Sequence, residues 1–162
     1  GTLKKNGWNH GILYGSKYVG DALVPGYELF EYGFPVALPV VKDQDKTKVR
    51  VELYEIDQAC LGRMDRLEYE GVMFNRTKVT ALPVNRDHLV DEDIPCEMYI
   101  GSTDYFAADR MRRVQPLKTK IVTPGVGTSD GEVYDWKPLR SMSEAKSDRM
   151  EKETKNETVR LG

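Results

Sequence analysis

The chain has 162 residues, a length that fits one domain of ordinary size with a sizeable hydrophobic core. Lys and Arg number 24 against 26 Asp and Glu, so the near-neutral charge gives no electrostatic reason to expect a nucleic acid or an anionic membrane as partner. No apolar run approaches the ~20 residues that span a bilayer, and no signal peptide is recognisable. We therefore expect neither nucleic acid nor membrane as a partner.

The cysteines and histidines give no sign of a disulfide framework or a metal site. Cys60 and Cys96 stand in unrelated contexts, so a reducing cytoplasm is the expected location. His10 lies in a Gly- and Asn-rich segment and His88 in an acidic run, and neither has the spacing of metal ligands. We expect no cofactor, and any chemistry would fall to carboxyl, hydroxyl and backbone amide groups.

The opening segment, residues 1–10, reads GTLKKNGWNH. A Gly-Thr-Leu turn followed by two lysines suggests unpaired backbone N–H groups at the end of a strand, an arrangement that binds an anion or a carboxylate. An ordinary surface turn is the alternative. Residues 8–14 carry apolar side chains, but the glycines around them limit the prediction to a short helical turn.

The pattern from Lys17 onward predicts a strand-rich first half and one helix. Strands are predicted at residues 17–24, 27–31 and 35–41, followed by alternating apolar residues over 49–54. The helix is predicted from about Asp57 to Leu67, with Asp57 as N-cap and apolar side chains at 60, 61, 64 and 67 on one face. This pattern places Glu68 at the exit of the helix, beside its apolar side.

The second half returns to β-structure and ends in a polar tail. Strands are predicted at residues 74–84, 96–100, 119–123 and 132–136, with an acidic loop at 85–93 and a Gly-rich hairpin turn at 124–127. Residues 105–113 predict a short helix whose arginines, Arg110, Arg112 and Arg113, form a solvated face. Residues 141–162 are almost entirely polar and predict a charged helix or mobile tail that could dock on a partner protein.

Six segments occur in order along this chain: GTLKK at 1–5, VPGYEL at 24–29, FPVA at 34–37, VELYEID at 51–57, MDRLE at 64–68 and FNRT at 74–77. Together they resemble the γ-glutamylcyclotransferase-like family, in its AIG2-like or γ-glutamylamine cyclotransferase branch. The resemblance covers roughly residues 1–99. It implies an α+β fold with a small mixed β-barrel-like sheet, a few short helices and a C-terminal extension.

The resemblance, together with the sequence pattern beyond residue 115, predicts three segments. Residues 1–114 form the γ-glutamylcyclotransferase-like domain, residues 115–140 an additional β segment packed on it, and residues 141–162 a polar helical or mobile tail. The family's opening motif is a strand that ends in Tyr-Gly-Ser/Thr-Leu, whereas this sequence begins at the Gly. We therefore expect several more residues upstream in the native gene product.

The function implied by the resemblance is conversion of a γ-glutamyl amine or γ-glutamyl conjugate to 5-oxoproline and a free amine, without metal or nucleotide. Glu68 falls on the family's catalytic acid/base. The periodicity alone favours a surface carboxylate at the end of a helix. Glu70 is expected to be solvated.

The resemblance implies further site residues around this carboxyl group. Backbone N–H groups of the loop Gly1, Thr2 and Leu3 would bind the carboxylate of the substrate or the developing oxyanion. Candidates for the wall of the binding site are Phe34, Pro35, Phe74 and Tyr99. The sequence lacks the family's Tyr before the Gly, and Phe74 stands where the family commonly has Tyr, so two hydroxyls that could orient the substrate are missing from this sequence.

Three functions remain open at this point. The first is a small cyclotransferase acting on a γ-glutamyl substrate. The second is a non-catalytic module on the same fold that binds a small ligand or a protein. The third is a β-rich structural domain with a coincidental likeness to the family, which predicts no enclosed cavity next to Glu68.

Overall fold

The computed structural model describes residues 2–43, 46–85, 88–89 and 92–136. The strands are β1 (Lys17–Pro25), β2 (Tyr27–Glu31), β3 (Pro35–Pro39), β4 (Thr47–Glu55), β5 (Phe74–Asn85), β6 (His88–Leu89), β7 (Ile94–Gly101), β8 (Arg112–Arg113), β9 (Leu117–Thr123) and β10 (Gly127–Tyr134). Helix α1 spans Gln58–Leu67, and short 3-10 helices span His10–Leu13 and Ala108–Arg110.

The strand pairings form a barrel-like circuit. They run β1, β4, β10, β9, β6, β5 and back to β1, with β7 added on β5. Few residue pairs close the circuit at two points: two pairs join β1 to β5, and a single pair joins β6 to β9. The pairings of β10 with β4 and of β6 with β9 are parallel and the others antiparallel. The predicted α+β fold with a mixed, barrel-like sheet is confirmed, although the barrel is not regularly closed.

A second, three-stranded sheet of β3, β2 and β8 packs against this circuit. The cluster that joins the two sheets consists of Leu29, Ala37, Val49, Ile100 and Tyr134, all buried. Tyr134 comes from β10, which pairs in parallel with β4. Strands after residue 114 therefore complete the main sheet, while the boundary between segments at 114/115 stays a prediction. The tail predicted at 141–162 lies outside the described residues.

The helix predicted over residues 105–113 is wrong. A single 3-10 turn is followed by β8, whose Arg112 and Arg113 pair with Glu31 and Phe30 of β2. Ion pairs of Arg112 with Glu31 and of Arg113 with Glu28 reinforce this edge strand. The arginines are exposed as predicted, but partners distant in sequence hold two of them in an extended conformation.

Three other boundaries also differ from the prediction. β3 ends at Pro39 rather than at residue 41. β10 begins at Gly127 rather than 132, because its hairpin with β9 is in register from the turn onward. The acidic loop contains the two-residue strand β6. Its His88 pairs with Asn85, the last residue of β5.

Helix α1 begins and ends as its local signals predict. The carboxylate of Asp57 accepts a hydrogen bond from the N–H of Cys60 at 2.7 Å, which confirms Asp57 as the N-cap. At the other end the N–H of Glu68 donates to the carbonyl of Met64 at 2.9 Å. Tyr69 then adopts a left-handed conformation with φ of 47°, which ends the helix. Glu68 is thus fixed on the last turn.

Removal of the N-cap tests this assignment. We expect Asp57→Ala to lower the free energy of unfolding by about 1 kcal/mol, because the first turn loses the acceptor for one N–H group. Urea unfolding followed by circular dichroism measures the change. Asp57→Asn is the control, since Asn caps helices equally well. Equal midpoints for Asp57→Ala and wild type would contradict the capping role.

Candidate active site

A cavity of about 790 Å³ lies between the opening segment, the sheet and α1. Most of the side chains that line it are apolar, including Leu61, Met64 and Leu67 on the inner face of α1. Its walls also include residues of β2, β3, β4, β5 and β7. A cavity beside Glu68 disagrees with the interpretation of the chain as a purely structural domain.

The described residues predicted for the site all border this cavity. They are Thr2, Leu3, Phe34, Pro35, Glu68, Phe74 and Tyr99. The remaining one, Gly1, lies outside the described residues. The aromatic rings of Phe34 and Phe74 lie 6.2 Å apart between centroids and form part of one wall. The structure brings these residues together, and their individual roles stay predictions.

Glu68 borders the cavity together with several apolar side chains. The apolar side chains of Leu67, Met73 and Phe74 line the same cavity, and Glu68 itself is partly buried. Burial raises the pKa of the Glu68 carboxyl above its usual value, because the charged form is poorly solvated there. Within the described part of the chain, no donor forms a hydrogen bond to this carboxylate. The side chain of Glu70, in contrast, is exposed, as predicted.

A polar network that the sequence analysis missed lies next to Glu68. The hydroxyl of Tyr99 donates a hydrogen bond to Asp65 at 2.5 Å, and Arg76 forms an ion pair with Asp65 at 3.1 Å. Burial and the bond to Asp65 raise the pKa of Tyr99, and the nearby charge of Glu68 adds to the shift. Asp65 and Glu68 are three residues apart and share a helix face, a spacing that could have indicated this cluster.

The opening segment folds back on itself at the rim of the cavity. The carbonyl of Thr2 accepts from the N–H of Asn9 at 3.0 Å, and the Asn9 amide donates to the Thr2 hydroxyl at 3.1 Å. His10 Nδ1 lies 2.9 Å from the carbonyl oxygen of Leu3. No hydrogen bond within the described residues uses the N–H groups of Thr2, Leu3 or Lys4. These three residues border the cavity, so residues whose backbone donors are not used within the described chain lie beside it.

The described residues contain neither a disulfide nor a cluster of metal ligands. Cys60 is buried and Cys96 half-buried, and both are free thiols. Among the described residues no group of three or more His, Cys, Asp or Glu side chains could hold a metal ion. In the same part of the chain, no helix combines the length and the apolar character needed to cross a bilayer.

The fold and this cavity define a small α+β protein in which the partly buried carboxyl group of Glu68 and the opening segment border the same largely apolar cavity. A family model described as gamma-glutamyl cyclotransferase, AIG2-like, matches residues 1–120. The chain belongs to this family, which confirms the resemblance found in the sequence.

Individual relatives agree with this assignment. The protein PH0828 of Pyrococcus horikoshii, named provisionally as a gamma-glutamylcyclotransferase, is 34% identical over 68 residues, which are 42% of this chain and 54% of that protein. The match thus spans about half the length of this curated relative. Its crystal structure superposes with a TM-score of 0.53 at 23% identity, covering 70% of this chain and 80% of that one.

A mouse AIG2-like protein has a similar fold. Its crystal structure gives a TM-score of 0.56 at 22% identity and covers 67% of this chain and 76% of that chain. The structure of YkqA from Bacillus subtilis gives a TM-score of 0.51 at 20% identity, covering 75% of this chain and 44% of that chain. At these identities the superpositions establish the fold and do not by themselves establish activity.

Proposed function

We propose that this protein converts a γ-glutamyl amine or γ-glutamyl conjugate into 5-oxoproline and the free amine, with Glu68 as general acid and base. The observation that carries the proposal is the shared cavity: Glu68, a carboxyl with a raised pKa, borders the same space as Thr2 and Leu3, whose N–H groups take part in no hydrogen bond among the described residues. Membership of the γ-glutamyl cyclotransferase family supports the class of reaction.

The reaction takes place within one substrate molecule. The α-amino nitrogen attacks the side-chain carbonyl carbon, a C–N bond closes the five-membered ring, and the C–N bond to the departing amine breaks. Holding the two groups in the attack geometry can contribute as much as ~7–11 kcal/mol. The carbonyl oxygen becomes an oxyanion during the attack, and the N–H groups of Thr2 and Leu3 stabilise it or bind the carboxylate of the substrate.

Glu68 moves the protons in this scheme. Its carboxylate takes a proton from the attacking nitrogen, and the resulting acid returns a proton to the departing amine, so that no external acid is consumed. A carboxyl held among apolar side chains suits this exchange because its raised pKa lies nearer to the working pH. The walls formed by Phe34, Pro35 and Phe74 limit the access of water that would otherwise compete as nucleophile.

The pH dependence of the rate follows from this role. Glu68 must be ionised to accept the first proton, so kcat/KM should fall as the pH falls through its pKa. Because burial raises that pKa above the ordinary value of 4.5, the acid limb should lie at higher pH than an exposed carboxyl would give. Measuring kcat/KM across the acidic and neutral range tests this point. A limb at the position of an exposed carboxyl would contradict it.

Incubation with a panel of γ-glutamyl amines and γ-glutamyl peptides tests the proposed function. We expect 5-oxoproline from at least one member of the panel, detected by mass spectrometry. The alternative of a binding module, motivated by the added C-terminal portion from residue 115 to residue 162, predicts thermal stabilisation by the ligand without product. That outcome would replace the catalytic proposal.

A further inference from the structure

The residues that follow β10 contact the opening segment. Asp135 and Trp136 come directly after the strand, and they lie beyond residue 120, where the match to the family ends. Asp135 contacts Lys4, which lies 131 positions earlier in the chain, and Trp136 contacts Trp8, which lies 128 positions earlier. The opening segment, whose residues border the cavity, is therefore held by a part of the chain outside the matched family region.

The first contact is an ion pair. Lys4 Nζ lies 2.8 Å from Asp135 Oδ1, and the two side chains are only 17% and 15% exposed. The ion pair between Lys120 on β9 and Asp130 on β10, at 3.2 Å, is open to solvent, and its side chains are 75% and 88% exposed. Exposed pairs contribute little, whereas loss of one partner from a shielded pair leaves a poorly solvated charge. The Lys4–Asp135 pair is therefore the stronger constraint.

The second contact is aromatic. The rings of Trp8 and Trp136 meet edge to face, with centroids 5.5 Å apart and planes at 83°. Trp136 packs in turn against the buried cluster that contains Leu29 and Tyr134, which anchors it to the core. Lys4, Trp8 and Trp136 all border the cavity. The opening segment is thus tied down on both sides of the turn between Lys4 and Trp8.

We propose that Asp135 and Trp136 are positioning residues for the opening segment. They hold it so that Thr2 and Leu3 stay at the cavity; Asp135 acts only through that segment, whereas Trp136 also borders the cavity itself. The role in turnover rests on the proposed function, whereas the anchoring itself does not. The C-terminal extension then acts as part of the active site's support and is not an independent appendage.

The two tryptophans give a direct probe of this contact, because Trp8 and Trp136 are the only ones in the chain. Two indole rings at this distance couple, so far-ultraviolet circular dichroism of the wild type should contain an exciton couplet that Trp8→Phe and Trp136→Phe each abolish. Asp135→Asn should weaken the couplet and lower kcat/KM by about tenfold to hundredfold, the cost of a misplaced binding group. Lys4→Met breaks the same pair from the other side and should do the same if Asp135→Asn does not fold.

Conservative and remote variants separate positioning from general stability. Asp135→Glu keeps the charge and should retain both the couplet and most of kcat/KM. Asp130→Asn makes the same chemical change on β10 at an exposed pair and should change neither. In all these variants the pH profile of kcat/KM should stay that of the wild type, since Glu68 is untouched.

The outcomes distinguish this proposal from the proposed function. If the wild type releases no 5-oxoproline, the catalytic role fails, while loss of the couplet in folded Asp135→Asn or Lys4→Met still supports the anchoring. A wild type without a couplet overturns the anchoring. Folded Asp135→Asn and Lys4→Met proteins with wild-type couplet and kcat/KM overturn it as well.

Discussion

Glu68→Gln is expected to reduce 5-oxoproline release by about 10²–10⁴-fold, the usual contribution of a general acid and base. The amide has nearly the same shape and still borders the cavity, but it cannot accept the proton of the attacking nitrogen. Initial rates of product release by wild type and variant under identical conditions measure the effect. A Glu68→Gln protein with wild-type turnover would remove the proposed mechanism.

The fold should survive this substitution. The raised pKa of Glu68 means that the folded state favours the neutral acid, so the stability that this group contributes is present at low pH and is lost as the pH rises through its folded pKa. A neutral amide avoids that loss, and unfolding in urea at neutral pH should show no decrease in stability. Glu70→Gln is the matched control, because this exposed carboxylate lies two residues away and should be dispensable for turnover.

Gly7→Ala should lower kcat/KM by about 10²-fold, because it displaces the segment that carries the N–H groups. A Cβ atom on Gly7 would lie 2.1 Å from the carbonyl oxygen of Thr2 and 2.8 Å from that of Lys4. Both oxygens belong to the backbone, so no side-chain rotation relieves the overlap and the turn itself must move. Steady-state kinetics with the best substrate of the panel measures the loss.

Gly11→Ala is the control for this substitution. Gly11 lies four residues further on, and a Cβ atom there would meet nothing within 4 Å. It should therefore keep wild-type kinetics and wild-type stability. Equal kcat/KM values for Gly7→Ala and Gly11→Ala would contradict a role of the opening turn in substrate binding.

Local signals in the sequence predicted much of the fold. Asp57 and the apolar residues that follow it mark the helix because capping and a 3.6-residue period are properties of neighbouring residues. The conformation around Arg112 and Arg113 could not be predicted locally, because it depends on Glu28 and Glu31 of β2, far away in sequence. A strand of two residues is too short to show a periodic pattern in the sequence.

One part of the candidate site could be predicted from the sequence and another part could not. Glu68 could be singled out from the family resemblance, and the structure adds the apolar surroundings that raise its pKa. The contacts of Asp135 and Trp136 with the opening segment could not be predicted, because they join the two ends of the described chain across the sheet. Nothing in a lone Asp-Trp pair indicates a partner of opposite charge at such a separation.

The identity of the products tests the central claim most directly. Cyclisation requires that the α-amino group of the substrate, and not water, attacks the side-chain carbonyl. Quantifying 5-oxoproline, glutamate and free amine from one γ-glutamyl amine should give 5-oxoproline and amine in equal amounts, with almost none from Glu68→Gln. Glutamate in place of 5-oxoproline, or undiminished 5-oxoproline from Glu68→Gln, would contradict an intramolecular reaction driven by this carboxyl.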